Sequence, residues 1–112
     1  MNPSQIDRLL ASVPDSTEPR HRKRVLGYAT TARRIDARIT GLRGDLERAL
    51  RAVDDAVPGG ADEVAAADEA LALALELDGL ERVQPRVDSW LRVAVGAVAD
   101  DPGLEPFGEG PT

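Results

Sequence analysis

The sequence predicts an all-α chain, a long antiparallel, coiled-coil-like helical hairpin with a short N-terminal helix and a flexible acidic C-terminal tail. Three observations carry that reading. Ten core-type positions, Val25, Tyr28, Ala32, Ile35, Ile39, Leu42, Leu46, Ala49, Val53 and Ala56, follow one another in steps that alternate three and four. That spacing belongs to one narrow seam on a long helix that packs lengthwise on another helix. Pro58-Gly59-Gly60 then stops the helix and permits a reversal, because proline cannot continue it and glycine tolerates the turn. Finally, the stretches on either side of that turn are 39 residues each and opposite in charge, with 10 bases and 5 acids in the first against 3 and 8 in the second.

The N-terminal element spans residues 1–18, a short helix and its linker. Asn2 is placed to cap, Pro3 suits the first turn, and Gln5 holds the capping-box position. Ile6, Leu9, Leu10 and Val13 form its apolar stripe. Pro14 to Pro19 reads as a linker of turn formers, with Asp15, Ser16 or Thr17 placed to cap the next helix.

The hairpin occupies residues 19–99. Its first arm runs from Pro19 to Val57, and Gly41 to Gly44 is its softest stretch, since a helical glycine costs up to about 1 kcal/mol relative to alanine. The second arm runs from Ala61 to Ala99. Its apolar face draws on Val64, Leu71, Leu73, Leu75, Leu77, Leu80, Val83, Val87, Trp90, Leu91, Ala94 and Val98, with Trp90 read as a core residue. Asp78 with Glu81 resembles a fresh capping box, and Pro85 removes an internal hydrogen bond, so a kink or a split into two helices is expected near 79–85. A turn centred on Gly59 sets Tyr28 level with Trp90, Arg38 near Glu81 and Arg43 near Glu76. Residues 100–112 hold three prolines, three glycines and four acids and read as a disordered acidic tail.

Composition narrows the classes of function. A chain of 112 residues allows one domain with a modest core. The absence of cysteine excludes disulfides and thiolate chemistry. No stretch reaches the roughly 18 apolar residues of a membrane span, and residues 1–8 lack the pattern of a signal peptide, so a cytoplasmic protein is expected, with signal-less secretion as the alternative route. Arginine outnumbers lysine thirteen to one, a bias that points toward a GC-rich bacterial genome.

Candidate sites are few. Arg20, Arg22, Lys23 and Arg24, extended by Arg33 and Arg34, form a candidate patch for an anion or an acidic partner. The bland reading is a solvated face, or pairing with Asp100 and Asp101. The chain is acidic overall, with a net charge of −6, and no aromatics interleave with the bases for nucleobase stacking. His21 is the only histidine and reads as solvent-exposed. Without cysteine or a second histidine a zinc site is not expected, and Asp54/Asp55, Asp62/Glu63 and Asp68/Glu69 lack the spacing of a calcium loop. Ser4, Ser12, Ser16 and Ser89 stand in no nucleophile elbow. The expectation is therefore no catalytic residue, no metal and no cofactor. Leu104 and Phe107 in the acidic tail form a candidate docking motif.

Size and predicted hairpin resemble the small helical hairpins of type VII secretion systems. Pro58-Gly59-Gly60 stands where that family has Trp-x-Gly, Trp90 lies within Ser89-Trp90-Leu91, and no Tyr-x-x-x-Asp/Glu follows the second arm, so the family's function is not carried over. The expected function is a non-enzymatic protein–protein interaction module, an adaptor or assembly subunit, acting as a homodimer (a four-helix bundle) or within a hetero-complex. Nucleic-acid association through residues 20–38 and a secretion-linked or phage-type structural role are the alternatives.

Overall fold

The computed structural model describes residues 1–99. The tail expectation, Leu104, Phe107 and pairing with Asp100 or Asp101 lie outside them. The described chain is all-helical: α1 spans Pro3–Ala11, α2 Pro19–Asp55 and α3 Ala61–Ala99. The two long helices pack against each other as a helical hairpin. The chain divides into two compact units. Among the described residues, one comprises Met1–Asp36 with 84–99, and the other comprises Ala37–Val83. Each long helix contributes to both.

α1 starts as its sequence dictates. The Asn2 side chain accepts from the Gln5 backbone N–H at 2.9 Å, and the Gln5 side chain accepts from the Asn2 N–H at 2.9 Å. Two donors left over at the helix start are thus satisfied reciprocally. Ser12 closes the helix, its hydroxyl donating to the Leu9 carbonyl at 2.7 Å. α2 is preceded by Glu18, whose carbonyl accepts the His21 and Arg22 N–H groups at 3.0 Å. Asp15, Ser16 and Thr17 therefore lie too early to cap it: Pro19 occupies the first helical position, and the residue before it takes the flanking role.

α2 runs unbroken through Gly27, Gly41 and Gly44 and ends at Asp55, two residues before Val57. Pro58 accounts for the early end, because its ring disfavours helical backbone at the preceding residue. Gly59 adopts φ +80°, the left-handed conformation that reverses the chain. Its N–H donates to Glu63 Oε1 at 2.8 Å, and Asp62 and Glu63 occupy the first turn of α3, where acids oppose the positive helix end.

α3 continues through Asp78-Gly79 and contains Pro85 internally, so the second arm is one helix and not two. Asp78 pairs with Arg82 at 2.9 Å instead of opening a capping box. Proline within a helix removes one hydrogen bond. Here Pro85 is exposed, and the residues two and six beyond it, Val87 and Leu91, are buried in the core.

In the Met1–Asp36/Gln84 unit the core is a three-helix cluster. Ile6, Val25, Ala29, Ala32, Val87, Leu91, Ala94 and Val95 are buried together, and Leu9, Leu10 and Val13 pack on them. Fully burying a side chain such as Leu91 or Ile6 contributes about 1.5–3 kcal/mol. The Met1 ammonium donates to Asp88 Oδ2 at 2.5 Å and holds down the start of α1. Tyr28 and Trp90 meet with ring centroids 6.1 Å apart, as the turn-centred register predicts. In the Ala37–Val83 unit, Ile39, Leu42, Ala49, Ala70 and Leu77 are buried between two helices only.

Candidate interaction surfaces

The ten seam residues, nine in α2 and Ala56 just past its end, are all buried or half-buried. Val25, Ala32, Ile39, Leu42 and Ala49 are buried, and Tyr28, Ile35, Leu46, Val53 and Ala56 are half-buried. Ala32 and Ala49 sit where the helix wall must be low, so the facing helix can approach closely. The seam is therefore occupied by the chain's own packing.

Charged residues flank the seam in a definite pattern. Arg38 precedes seam residue Ile39 and forks onto Glu76, its Nε donating to Oε2 at 2.7 Å and Nη2 to Oε1 at 2.9 Å. Arg43 follows seam residue Leu42 and donates to Glu81 Oε2 at 2.7 Å. The expected partners are exchanged, Arg38 taking Glu76 and Arg43 taking Glu81. The reason is lateral. Glu76 precedes buried Leu77 and Glu81 follows half-buried Leu80, so Glu76 and Glu81 lie on opposite flanks of the second seam. In an antiparallel pair the flank before the seam faces its own kind, and so does the flank after it. Side of the seam outranks axial level, since an arginine easily spans one helical turn. The Arg38 hydrogen bond is the chief cause that holds the Glu76 carboxyl below its ordinary value, while partial desolvation opposes it and the arginine's charge adds to the lowering. The same bond raises Arg38.

The basic patch is largely engaged within the chain. Arg20 pairs with Glu18 at 3.3 Å, and Arg22 donates to the Pro14 and Asp15 carbonyls at 3.0 and 2.8 Å. The Arg24 guanidinium lies 5.7 Å from the centroid of the Tyr28 ring, and Arg33 pairs with Asp7 of α1 at 2.7 Å. Lys23 and Arg34 are exposed. His21 is half-buried, so the expected full exposure is not what the packing gives. Among the described residues, no three His, Cys, Asp or Glu side chains come together as a metal-ion group. An open cleft of about 400 Å³ is lined by Asp45, Arg48, Ala49, Ala52 and Glu69, with Arg48 and Asp45 paired to each other.

The largest departure from the sequence reading concerns apolar residues. The sequence places Val64, Leu71, Leu75, Val83 and Trp90 on the apolar face of the second arm, yet all are exposed. Trp90 is 49% exposed and stands beside the core and not in it. The run Leu71-Ala72-Leu73-Ala74-Leu75-Glu76-Leu77 shows why. Leucines two apart lie 200° apart around a helix, so at most half of them can face one partner. Leu77 is buried and Leu73 half-buried, while Leu71 and Leu75 are 60% and 64% exposed. Leu50, 51% exposed, lies outside the three-four seam that the sequence marks on α2. The period-two leucines were the available signal. Among the described residues, six of the eight exposed large apolar side chains belong to the Ala37–Val83 unit. No helix among the described residues is long and apolar enough to cross a membrane. Comparisons with protein-family models, with curated proteins and with solved structures found no match.

Proposed function

We propose that this chain is a non-enzymatic helical interaction module, an adaptor or assembly subunit that works by docking to other protein. The observation that supports it is the uncovered apolar surface of the Ala37–Val83 unit, where Leu50, Leu71 and Leu75 are each more than half exposed on two amphipathic helices. Exposed leucines scattered singly need no explanation, but several on one small unit mark a surface that excludes water in a complex. The engagement of Arg20, Arg22 and Arg33 with the chain's own acids and carbonyls weighs against a phosphate-binding role for the basic segment. Affinity purification from the native host tests the reading. A protein recovered at stoichiometric amounts, retained through high-salt washing, is the expected result. Recovery of nucleic acid alone, released by salt and abolished by Arg22→Glu, would replace the reading with the nucleic-acid one.

A further inference from the structure

We propose that the groove between α2 and α3 in the Ala37–Val83 unit docks an amphipathic helix of a partner protein, and that this helix carries Lys or Arg along one flank. This rests on the interaction-module reading and names its surface and the chemistry of its partner.

The argument begins in the other unit, where such a groove is already filled. There α1 lies over the flank that follows the seam. Ala29 of α2 and Val95 of α3 both occupy that flank, and both are buried in one cluster with Ile6. Asp88, seven residues before Val95, is held by the Met1 ammonium. Heptad spacing identifies the same flank in the Ala37–Val83 unit. Leu50 lies three heptads after Ala29, and Ala74 and Ala67 lie three and four heptads before Val95. The Arg43–Glu81 ion pair shows that these two flanks face each other there. No described helix covers this stretch. Leu50 is 51% exposed, Leu71 on the adjoining face of α3 is 60% exposed, and Ala67 is exposed beside them. Small alanines beside large leucines leave room for an incoming apolar side chain, as the Met1–Asp36/Gln84 unit leaves room for Ile6.

The rim sets the sign of the partner's charge. Over α1's groove, the rim of α2 carries Arg33, and α1 answers with Asp7 at 2.7 Å. Two and three heptads further along α2, the equivalent rim positions are Glu47 and Asp54, the former in a solvent-exposed i,i+4 pair with Arg51 at 2.6 Å that an incoming base can share. The rim charge is reversed, so the docked helix answers with a base. The unit as a whole agrees, carrying 11 acids against 5 bases. A second copy docking groove to groove would set two such acidic units together. Residues 100–112 carry four acids and no base, the wrong charge for this rim.

The test uses the full chain and two designed amphipathic helical peptides of about 20 residues, long enough to be helical on binding. They share one leucine stripe and differ only in flanks, Lys/Arg in one and Glu in the other. Fluorescence anisotropy reads their affinities. The Lys/Arg peptide is expected to bind at least about tenfold tighter than the Glu peptide, the factor set by 1.4 kcal/mol of charge complementarity. Leu71→Glu should reduce its affinity at least about tenfold, with circular dichroism showing the helices retained. Leu26→Glu, on exposed α2 surface in the other unit, should leave affinity unchanged. Glu47→Arg with Asp54→Arg should reverse the preference between peptides. Equal binding of the two peptides, binding of neither, or binding indifferent to Leu71→Glu overturns the proposal. So does a Leu71-dependent dimer of the chain alone by light scattering, which would make a second copy the occupant. If a host partner co-purifies equally with wild type and Leu71→Glu, the groove assignment fails while the module reading stands. If no partner co-purifies, the module reading itself fails.

Discussion

The Met1–Asp36/Gln84 unit and the Ala37–Val83 unit are built from the same two helices, yet only the first has a third helix over it. There, flank positions beside the seam become core: Ala29 is 0% exposed and Val95 3%. In the other unit, Leu50 on the corresponding flank is half exposed. Charge divides the same way. Among described residues the first unit holds 9 Lys/Arg against 5 Asp/Glu, and the second 5 against 11. A nine-residue helix thus decides whether the flank of a helix pair is interior or docking surface. Its own stability comes from that packing, since an isolated helix of this length is marginal in water.

The sharpest break of this comparison is core truncation. Ile6→Ala and Leu91→Ala should each destabilise by about 2–5 kcal/mol, measured by urea or thermal melts, because both side chains are fully buried. Leu75→Ala, in the two-helix unit and 64% exposed, should stay within about 0.5 kcal/mol. Equal losses at Leu91 and Leu75 would erase the distinction between covered and uncovered units. Hydrogen exchange sharpens it further. Amides around Leu42 and Leu77 should exchange faster than those around Ala29 and Leu91, because two helices open at lower cost than three.

Smaller effects follow. Gly41→Ala should stabilise by up to about 1 kcal/mol and raise the melting temperature by a few degrees, since nothing lies within 4 Å of the added Cβ. A loss of stability would reveal a need for glycine in the middle of α2. The smallest effect is the pH dependence of the Arg38–Glu76 pair. Glu76 titrates below its ordinary value in the folded chain, chiefly through the hydrogen bond from Arg38. Its contribution is therefore present above the ordinary carboxylate range and lost as pH falls through the depressed folded value. Melts of Glu76→Gln against wild type should differ slightly at neutral pH and converge in strong acid. A difference that grows in acid would reverse the sign.

Much of this fold was legible in the residues. The Asn2/Gln5 capping box, the three-four seam of α2 and the Pro58-Gly59-Gly60 turn are local devices whose geometry depends on neighbours in sequence. The Tyr28–Trp90 contact followed from the turn position, because equal rise per residue carries a register along both arms. The ion pairs were less legible: the Arg38 and Arg43 partners depend on which side of each seam a residue falls, which level alone does not report. The exposed leucines of the Ala37–Val83 unit were hidden by composition, since leucine reads as core wherever its helix phase is left unresolved.

Sequence alone determined the helices, their reversal and the inward face of α2, because capping, proline and heptad spacing act within a few residues. Only the tertiary structure decided that α1 covers one stretch of the α2–α3 flank, that Arg22 and Arg33 are engaged by carbonyls and Asp7, and that Leu50 and Leu71 stay exposed. Those outcomes turn on which surface a short tethered helix occupies. They depend on groove depth and rim charge assembled from residues distant in the chain, which no local pattern encodes.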